Sequence, residues 1–303
     1  MNLGTAMQLG AQDLFAKSMS ERLASRPDIF ETLLPSFAPG CRRLTPGRGY
    51  LEALCEPNVD FITSDIASLN STGLTTRDGI HHPLDVLVCA TGFKAGASPP
   101  FPIIGANNTI LSKHWADFPR TYLSLATDNF PNFFMMLGPN SAIGSGSLTM
   151  MIESLGDYIV RCVRKLQKEN ILAMTVKSAR VDDFLEYSGE YFKRTVFSDD
   201  CRSWYKNARN EVTGLWPGST QHCLEVLRSP RWEDFEYVYV GEESFGKGKG
   251  KEGNRLAWLG NGWTDNQMRE RHLAWYLYEE FVDVPVEGRP EEKERYVFRP
   301  FSH

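Results

Sequence analysis

Asp85-Val86-Leu87-Val88-Cys89-Ala90-Thr91-Gly92-Phe93 is an apolar run that opens on an acid and stops at a glycine. Nothing between Asp85 and Thr91 is polar, so the run turns no face toward water and reads as a buried strand over 84–90. Such a strand needs hydrogen-bonding neighbours at its edges.

Composition sets mild limits on the rest. The 303 residues are 42% hydrophobic and 23% charged, enough to bury a sizeable core in one large domain or two ordinary ones. A formal net charge of -5, with basic residues interspersed, gives no footprint for a phosphate backbone, so nucleic acid is not an expected partner. Cys41, Cys55, Cys89, Cys162, Cys201 and Cys223 form no C-x-x-C pair, and the six histidines show no metal-ligand spacing. The cysteines are therefore expected as reduced thiols, with no metal site. The first residues lack a basic stretch followed by an apolar one, and no apolar run approaches the roughly 18 residues of a spanning helix. A soluble, cytoplasmic protein without a membrane partner is expected.

Patterning predicts an amphipathic helix over 5–24 and a second helix from Pro27 that Pro35 stops. A loop rich in Pro and Gly covers 36–49, a strand 59–69, and a short hairpin turns at Asp78-Gly79. The Pro/Gly/Asn-rich stretch 93–108 reads as a domain crossing. Beyond it, 132–137 reads as a short buried strand and Gly138-Pro139-Asn140-Ser141 as a turn. A helix over 148–168 follows, with Ile152, Leu155, Ile159, Val163 and Leu166 on its apolar side. Residues 182–196 read as helix, 202–205 and 212–216 as strands, 219–227 as helix and 236–240 as strand. The basic loop 246–253 lacks the Gly-Lys-Ser/Thr ending of a phosphate loop and reads as a linker.

Three segments could carry chemistry. Pro39-Gly40-Cys41-Arg42-Arg43-Leu44-Thr45-Pro46-Gly47 sets two guanidinium groups in a loop, where paired arginines are either solvated or bind an anion. Gly138-Pro139-Asn140-Ser141 is either a turn leading to an N-cap or a set of donors facing a ligand at a strand end. Gly144-Ser145-Gly146 continues that turn, but Thr149 stands where a dinucleotide fingerprint has its third glycine. Cys201-Arg202-Ser203-Trp204-Tyr205-Lys206 pairs two aromatics that are either core or ligand-facing. His114, beside Trp115, is expected to be solvated or hydrogen bonded, and Asp199-Asp200 to form a solvated turn.

These segments resemble the Baeyer-Villiger, or class B, FAD- and NADPH-dependent monooxygenases of fungal type. The run 85–93 is similar to the strand by which that family returns from its NADPH domain to its FAD domain. The loop at 39–47 resembles the family's G-x-K/R-R segment, whose last arginine is catalytic. The resemblance implies a catalytic Arg43, a permanent cation suited to an oxygenation that passes through an anion, and an NADPH phosphate partner in Arg42. Thr91 and Gly92, Asn140 and Ser141 at the flavin ring, and Trp204 near the nicotinamide complete the implied cofactor contacts. Lys206-Asn207-Ala208 departs from the family's frequent Gly-Ala-Asn after that tryptophan. Leu215-Trp216-Pro217-Gly218-Ser219 and 254–262 resemble fungal tracts and read as packing or substrate-side loops.

The implied fold is a partial two-dinucleotide-binding-domain α/β flavoprotein. Residues 1–92 are the distal part of the NADPH domain, 93–180 the C-terminal part of the FAD domain, and 181–303 a mixed α/β extension. The family carries two G-x-G-x-x-G loops upstream of its returning strand, and neither stands before Asp85 here, so an N-terminally truncated member is expected. The implied cofactors are FAD and NADPH, and the implied partner is a small carbonyl compound such as a polyketide or terpenoid. The alternatives are a non-catalytic relative, a homodimer or subunit that completes its site with a complementing protein, or a reading frame that continues upstream of Met1.

Overall fold

The computed structural model describes residues 2–45, 47–92, 99–144, 146–240, 256–271, 273, 274 and 277. Two compact units divide the chain, Met1–Gly253 and Asn254–His303. The expected domain limits at 92/93 and 180/181 both fall inside the first unit. The second holds a short 3-10 turn, Ala257–Leu259. The loop 246–253 and residues 254 and 255 lie outside the described residues.

Helix α1 (Ala6–Arg22) starts where the Thr5 hydroxyl accepts the Gln8 amide, and α2 (Pro27–Leu33) starts at its proline. Both helices are where the sequence places them, but α1 is not amphipathic. Its apolar residues recur at mixed spacings and form no single stripe, so Met7, Leu9 and Leu14 stay exposed. Burial comes instead from Leu23, just past its end, packed with Ile29 of α2 and Leu51 of α3 (Tyr50–Ala53).

Strands β1 (Ile66–Asn70), β2 (Gly73–Thr76) and β3 (His81–Pro83) form an antiparallel sheet in that order. The hairpin turns at Asp78-Gly79 as expected, with the Thr76 amide donating to the Ile80 carbonyl at 3.0 Å. The strand expected over 59–69 begins only at Ile66.

The run 84–90 is not a strand. Its last link to the sheet is the Leu84 amide on the Thr72 carbonyl, after which Val86 and Val88 are 75% and 83% exposed. A strand of this composition is stable only between paired neighbours, and no described strand lies beside it. Phe93 and the start of the expected crossing, 93–98, lie outside the described residues.

After the short helix α4 (Leu111–His114), the main core forms around α5 (Leu148–Lys168), capped by the Ser147 hydroxyl, which accepts the Met150 amide. Its buried side is Met151, Leu155, Tyr158 and Cys162: Leu155 is as expected and Leu166 packs against the same core, while the other three stand one residue before Ile152, Ile159 and Val163, and Val163 is exposed. Tyr158 and Cys162 carry polar atoms that hide them in an apolar pattern. Beneath α5 lies β4 (Ile171–Val176), which pairs antiparallel with β5 (Phe235–Tyr239). The sequence reading missed β4, because a single residue, Lys177, separates it from α6 (Ser178–Phe192) and leaves no turn signal. Helix α7 (Thr220–Val226) matches expectation and packs against α5.

At the bottom of this core Tyr122 donates to the Asp234 carboxylate, both groups buried. Burial, reinforced by Tyr158 and Asp234, pushes the Tyr122 hydroxyl far above the usual phenol range.

The strands expected at 132–137, 202–205 and 212–216 are irregular chain. Positive φ angles of 57° at Asn132 and 59° at Leu137 break the first. The others make isolated bridges, Lys206 to Val212 and Leu215 to Ala142. The cysteine expectation is also corrected. Cys41 and Cys201 are joined in a disulfide across 160 residues, a pairing that local spacing does not reveal. Among the described residues no helix is long and apolar enough to cross a membrane.

Candidate functional site

The fold brings three of the four sequence-expected pieces together, and Tyr205 is their common point. Its hydroxyl donates to the Cys41 carbonyl at 2.5 Å, beside the disulfide, and so reaches the base of the Arg42-Arg43 loop. Its carbonyl accepts the amides of Thr213 at 2.9 Å and Gly214 at 3.0 Å. Gly214 has no room for a side chain, since a β-carbon there would stand 2.8 Å from the Tyr205 Cα. The Tyr205 ring meets Trp204 edge-on at 5.1 Å, and Trp204 itself is 48% exposed.

The arginine loop is tied down at both ends. Near Cys41, the Ala38 amide donates to the Asp199 carboxylate at 2.6 Å, and Lys206 Nζ lies 3.5 Å from Cys41 Sγ. Asp199 is thus a structural acceptor rather than a solvated turn residue. At the other end Arg22 donates to the Gly47 carbonyl at 3.1 Å while its guanidinium also grips Glu52. Arg42 and Arg43 stand exposed between these ties, with no ion-pair partner among the described residues. Burial raises the Tyr205 hydroxyl above its usual range, while Ser203 and the nearby Arg42 and Arg43 charges work against that rise. Two exposed guanidinium groups without an ion-pair partner among the described residues can bind an anion.

The turn at 138–141 is docked from the other side. Asn140, at φ 63°, donates its side-chain amide to the carbonyls of Leu215 at 3.1 Å and Val212 at 3.4 Å, and its backbone amide to Thr213 at 2.7 Å. The Ser141 amide is used on Gly138, and both residues are buried. The donors expected at a flavin edge are therefore turned inward in this conformation. Asn140 Oδ1 is left buried without a partner among the described residues. The turn itself is where the sequence places it, while Ser145 lies outside the described residues. Thr91 and Gly92 are exposed, and no described hydrogen bond or ion pair ties them to this network.

A second polar cluster shares Val212 with this network. His114 Nε2 is 2.9 Å from the buried Asp128 carboxylate, which also accepts from Asn129 at 3.1 Å. His114, Arg120, Ser188, Phe192 and Val212 line a cavity of about 590 Å³ that contains none of the sequence-expected site residues. His114 is hydrogen bonded, one of the two states expected of it. Among the described residues no group of three or more His, Cys, Asp or Glu could hold a metal.

Sequence reasoning missed Tyr205 as the hub, Lys206, Gly214 and the disulfide. One signal was present: Cys41 directly precedes Arg42, and Cys201 stands three residues before Trp204.

No family model matches the chain. It is 37% identical over 258 residues to the FAD-binding monooxygenase stcW of Emericella nidulans, covering 85% of this chain and 41% of that protein. The FAD-binding monooxygenase tazF of Aspergillus terreus is 38% identical over 264 residues, covering 86% of this chain and 45% of its own length. Cyclohexanone monooxygenase from Rhodococcus sp. Phi1 bound to NADP+ superposes with a TM-score of 0.70 at 26% identity, over 79% of this chain and 46% of that one. The chain spans less than half the length of the curated relatives it matches.

Proposed function

We propose that this chain, similar to FAD-binding monooxygenases over part of their length, serves NADPH-dependent oxygen insertion of Baeyer-Villiger type beside a ketone or aldehyde carbonyl. The observation that carries this reading is the Arg42-Arg43 loop, exposed and unpaired among the described residues, held against the Trp204-Tyr205 segment by Cys41 and Tyr205. FAD, reduced by NADPH, supplies the oxygen-activating chemistry when bound. Arg43 holds a permanent positive charge beside the reacting oxygen, where negative charge must be stabilised. Arg42 takes a phosphate of NADPH, and Trp204 offers a flat face to its nicotinamide. Asn140 fixes the turn at 138–141 against 212–215, with Ser141 in the same turn, and this turn would form part of the wall that holds the flavin. Thr91 and Gly92 border the cofactor as the family resemblance implies. The substrate proposed is a small carbonyl compound, and the family resemblance implies a polyketide or terpenoid skeleton.

Titration of the purified chain with FAD, with and without NADPH, tests this reading through flavin absorbance and fluorescence. Saturable binding that NADPH strengthens is expected. The exposure of Val86 and Val88 favours a second reading, in which a complementing polypeptide pairs with this run and completes the site. Under that reading the chain alone binds no FAD and elutes as an oligomer or complex. Clean monomeric elution counts against it.

A further inference from the structure

We propose that the Cys41–Cys201 disulfide, with Tyr205 and Lys206, is a redox-sensitive clamp that positions the Arg42-Arg43 loop on the Trp204 segment, and that a dithiol opens it. Its consequence for cofactor binding rests on the function proposed above; the clamp itself rests on geometry alone.

The link joins the two segments next to their proposed working residues, Arg42 on one side and Trp204 on the other. Neither cysteine belongs to any of the four hydrophobic clusters, so opening the link leaves those cores packed. What remains on the Cys41 side is a few hydrogen bonds: the Tyr205 hydroxyl on the Cys41 and Gly40 carbonyls, the Ala38 amide on Asp199, and the Cys41 sulfur between the Asp199 carbonyl and Lys206 Nζ. Each such hydrogen bond biases an equilibrium only about fivefold, so these bonds hold a loop rich in glycine and proline less firmly than the covalent link does.

The chemistry of opening is directional. Lys206 Nζ, 3.5 Å from Cys41 Sγ, favours Cys41 as the leaving thiolate, so a thiolate of the dithiol attacks Cys201 Sγ. The sulfur–sulfur bond breaks and a mixed disulfide forms on Cys201. The second thiol of the reagent then closes on its own bound sulfur and releases Cys201. The reagent is oxidised to a cyclic disulfide, the cystine gains two electrons, and the two protons of the dithiol end on Cys41 and Cys201. Both cysteines are buried, at 0% and 4% exposure, so attack follows a transient lifting of the loop.

Hydrogen exchange read by mass spectrometry on the full chain tests the clamp, comparing oxidised, dithiothreitol-reduced and reoxidised protein with the Cys41→Ser/Cys201→Ser variant. Thiol titration after unfolding should find four free thiols in the oxidised protein and six after reduction. Reduction should speed exchange over 36–45 and 199–206 by about tenfold, reversibly, with peptides of α5 unchanged. The serine variant should behave as the reduced protein does. Six free thiols before reduction, unchanged exchange over 36–45 after it, or loosening that includes α5 overturns the clamp. Binding of 2′,5′-ADP should weaken at least about fivefold on reduction, and equal binding by both forms overturns the positioning role. If 2′,5′-ADP binds neither form while exchange still changes locally, the clamp stands and the phosphate role of Arg42 fails.

Discussion

Asn140 Nδ2 donates to the Leu215 carbonyl at 3.1 Å, joining positions 75 residues apart and fixing the turn at 138–141 to the segment that Tyr205 holds from its other side. Asn140→Ala removes this bond and the one to Val212, and places an alanine at a φ of 63°. Two buried carbonyls lose a donor, and left-handed backbone disfavours alanine, so the loss should be about 2–3 kcal/mol in urea unfolding. Asn140→Gly should lose less, because glycine accepts the backbone angle. A loss under about 0.5 kcal/mol for alanine contradicts the assignment.

Gly214→Ala tests the hub directly. The new methyl would stand 2.7 Å from the Tyr205 Cβ and 2.8 Å from its Cα, so Tyr205 must shift and carry its bond to Cys41 with it. Overpacking of this kind costs about 1–3 kcal/mol, visible as a lower urea midpoint. An unchanged midpoint shows that the approach is looser than described.

Alkaline pH should unfold the protein through its buried phenols and thiols. Unfolded tyrosines ionise near 10.0, whereas burial raises Tyr122 and Tyr158 above that in the folded chain. Burial likewise pushes Cys162 and Cys223 up to about 12 from 9.0. The folded state therefore binds more protons than the unfolded one at high pH. The stability these groups contribute is full below about pH 9 and drains as pH rises through 10 and beyond. Urea midpoints at pH 8, 10 and 11 should fall in that order, and a flat profile refutes the burial of these groups.

At the acid end Glu52 should titrate near 2, because the Arg22 guanidinium donates to both of its oxygens, at 2.6 and 2.7 Å. Its contribution is present above its unfolded value of 4.5 and is lost as pH falls toward 2. The pair is solvent-exposed, so 1 M salt should weaken it, and Arg22→Gln should return Glu52 toward 4.5 in a carbon-detected NMR titration. An unshifted Glu52 in the parent protein shows that the pair does not form in solution.

Local signals made α2, the Asp78-Gly79 hairpin, α5, α7 and β5 legible, because a proline, a turn dipeptide or a regular period marks each of them. The run 84–90 misleads for a physical reason: its composition describes a strand between neighbours, and among the described residues no strand lies beside it. The site is legible as pieces and illegible as an assembly. Arg42, Arg43, Asn140, Ser141 and Trp204 stand out by residue type. What joins them is a disulfide spanning 160 residues and the hydroxyl and carbonyl of Tyr205, and long-range pairings leave no trace in spacing. The inward turn of the Asn140 amide depends on carbonyls that come from 212 and 215, which no local pattern connects to the turn.

The most direct measurement is oxygenation of a ketone panel under ¹⁸O₂ with FAD and NADPH, comparing the chain with its Arg43→Ala variant at matched circular dichroism. An ester carrying one ¹⁸O atom is expected with the parent chain and at least about a hundredfold less with the variant, the scale of losing one charge-stabilising group. Product formation unaffected by Arg43→Ala, or no labelled product from a chain that binds FAD tightly, contradicts the proposed function.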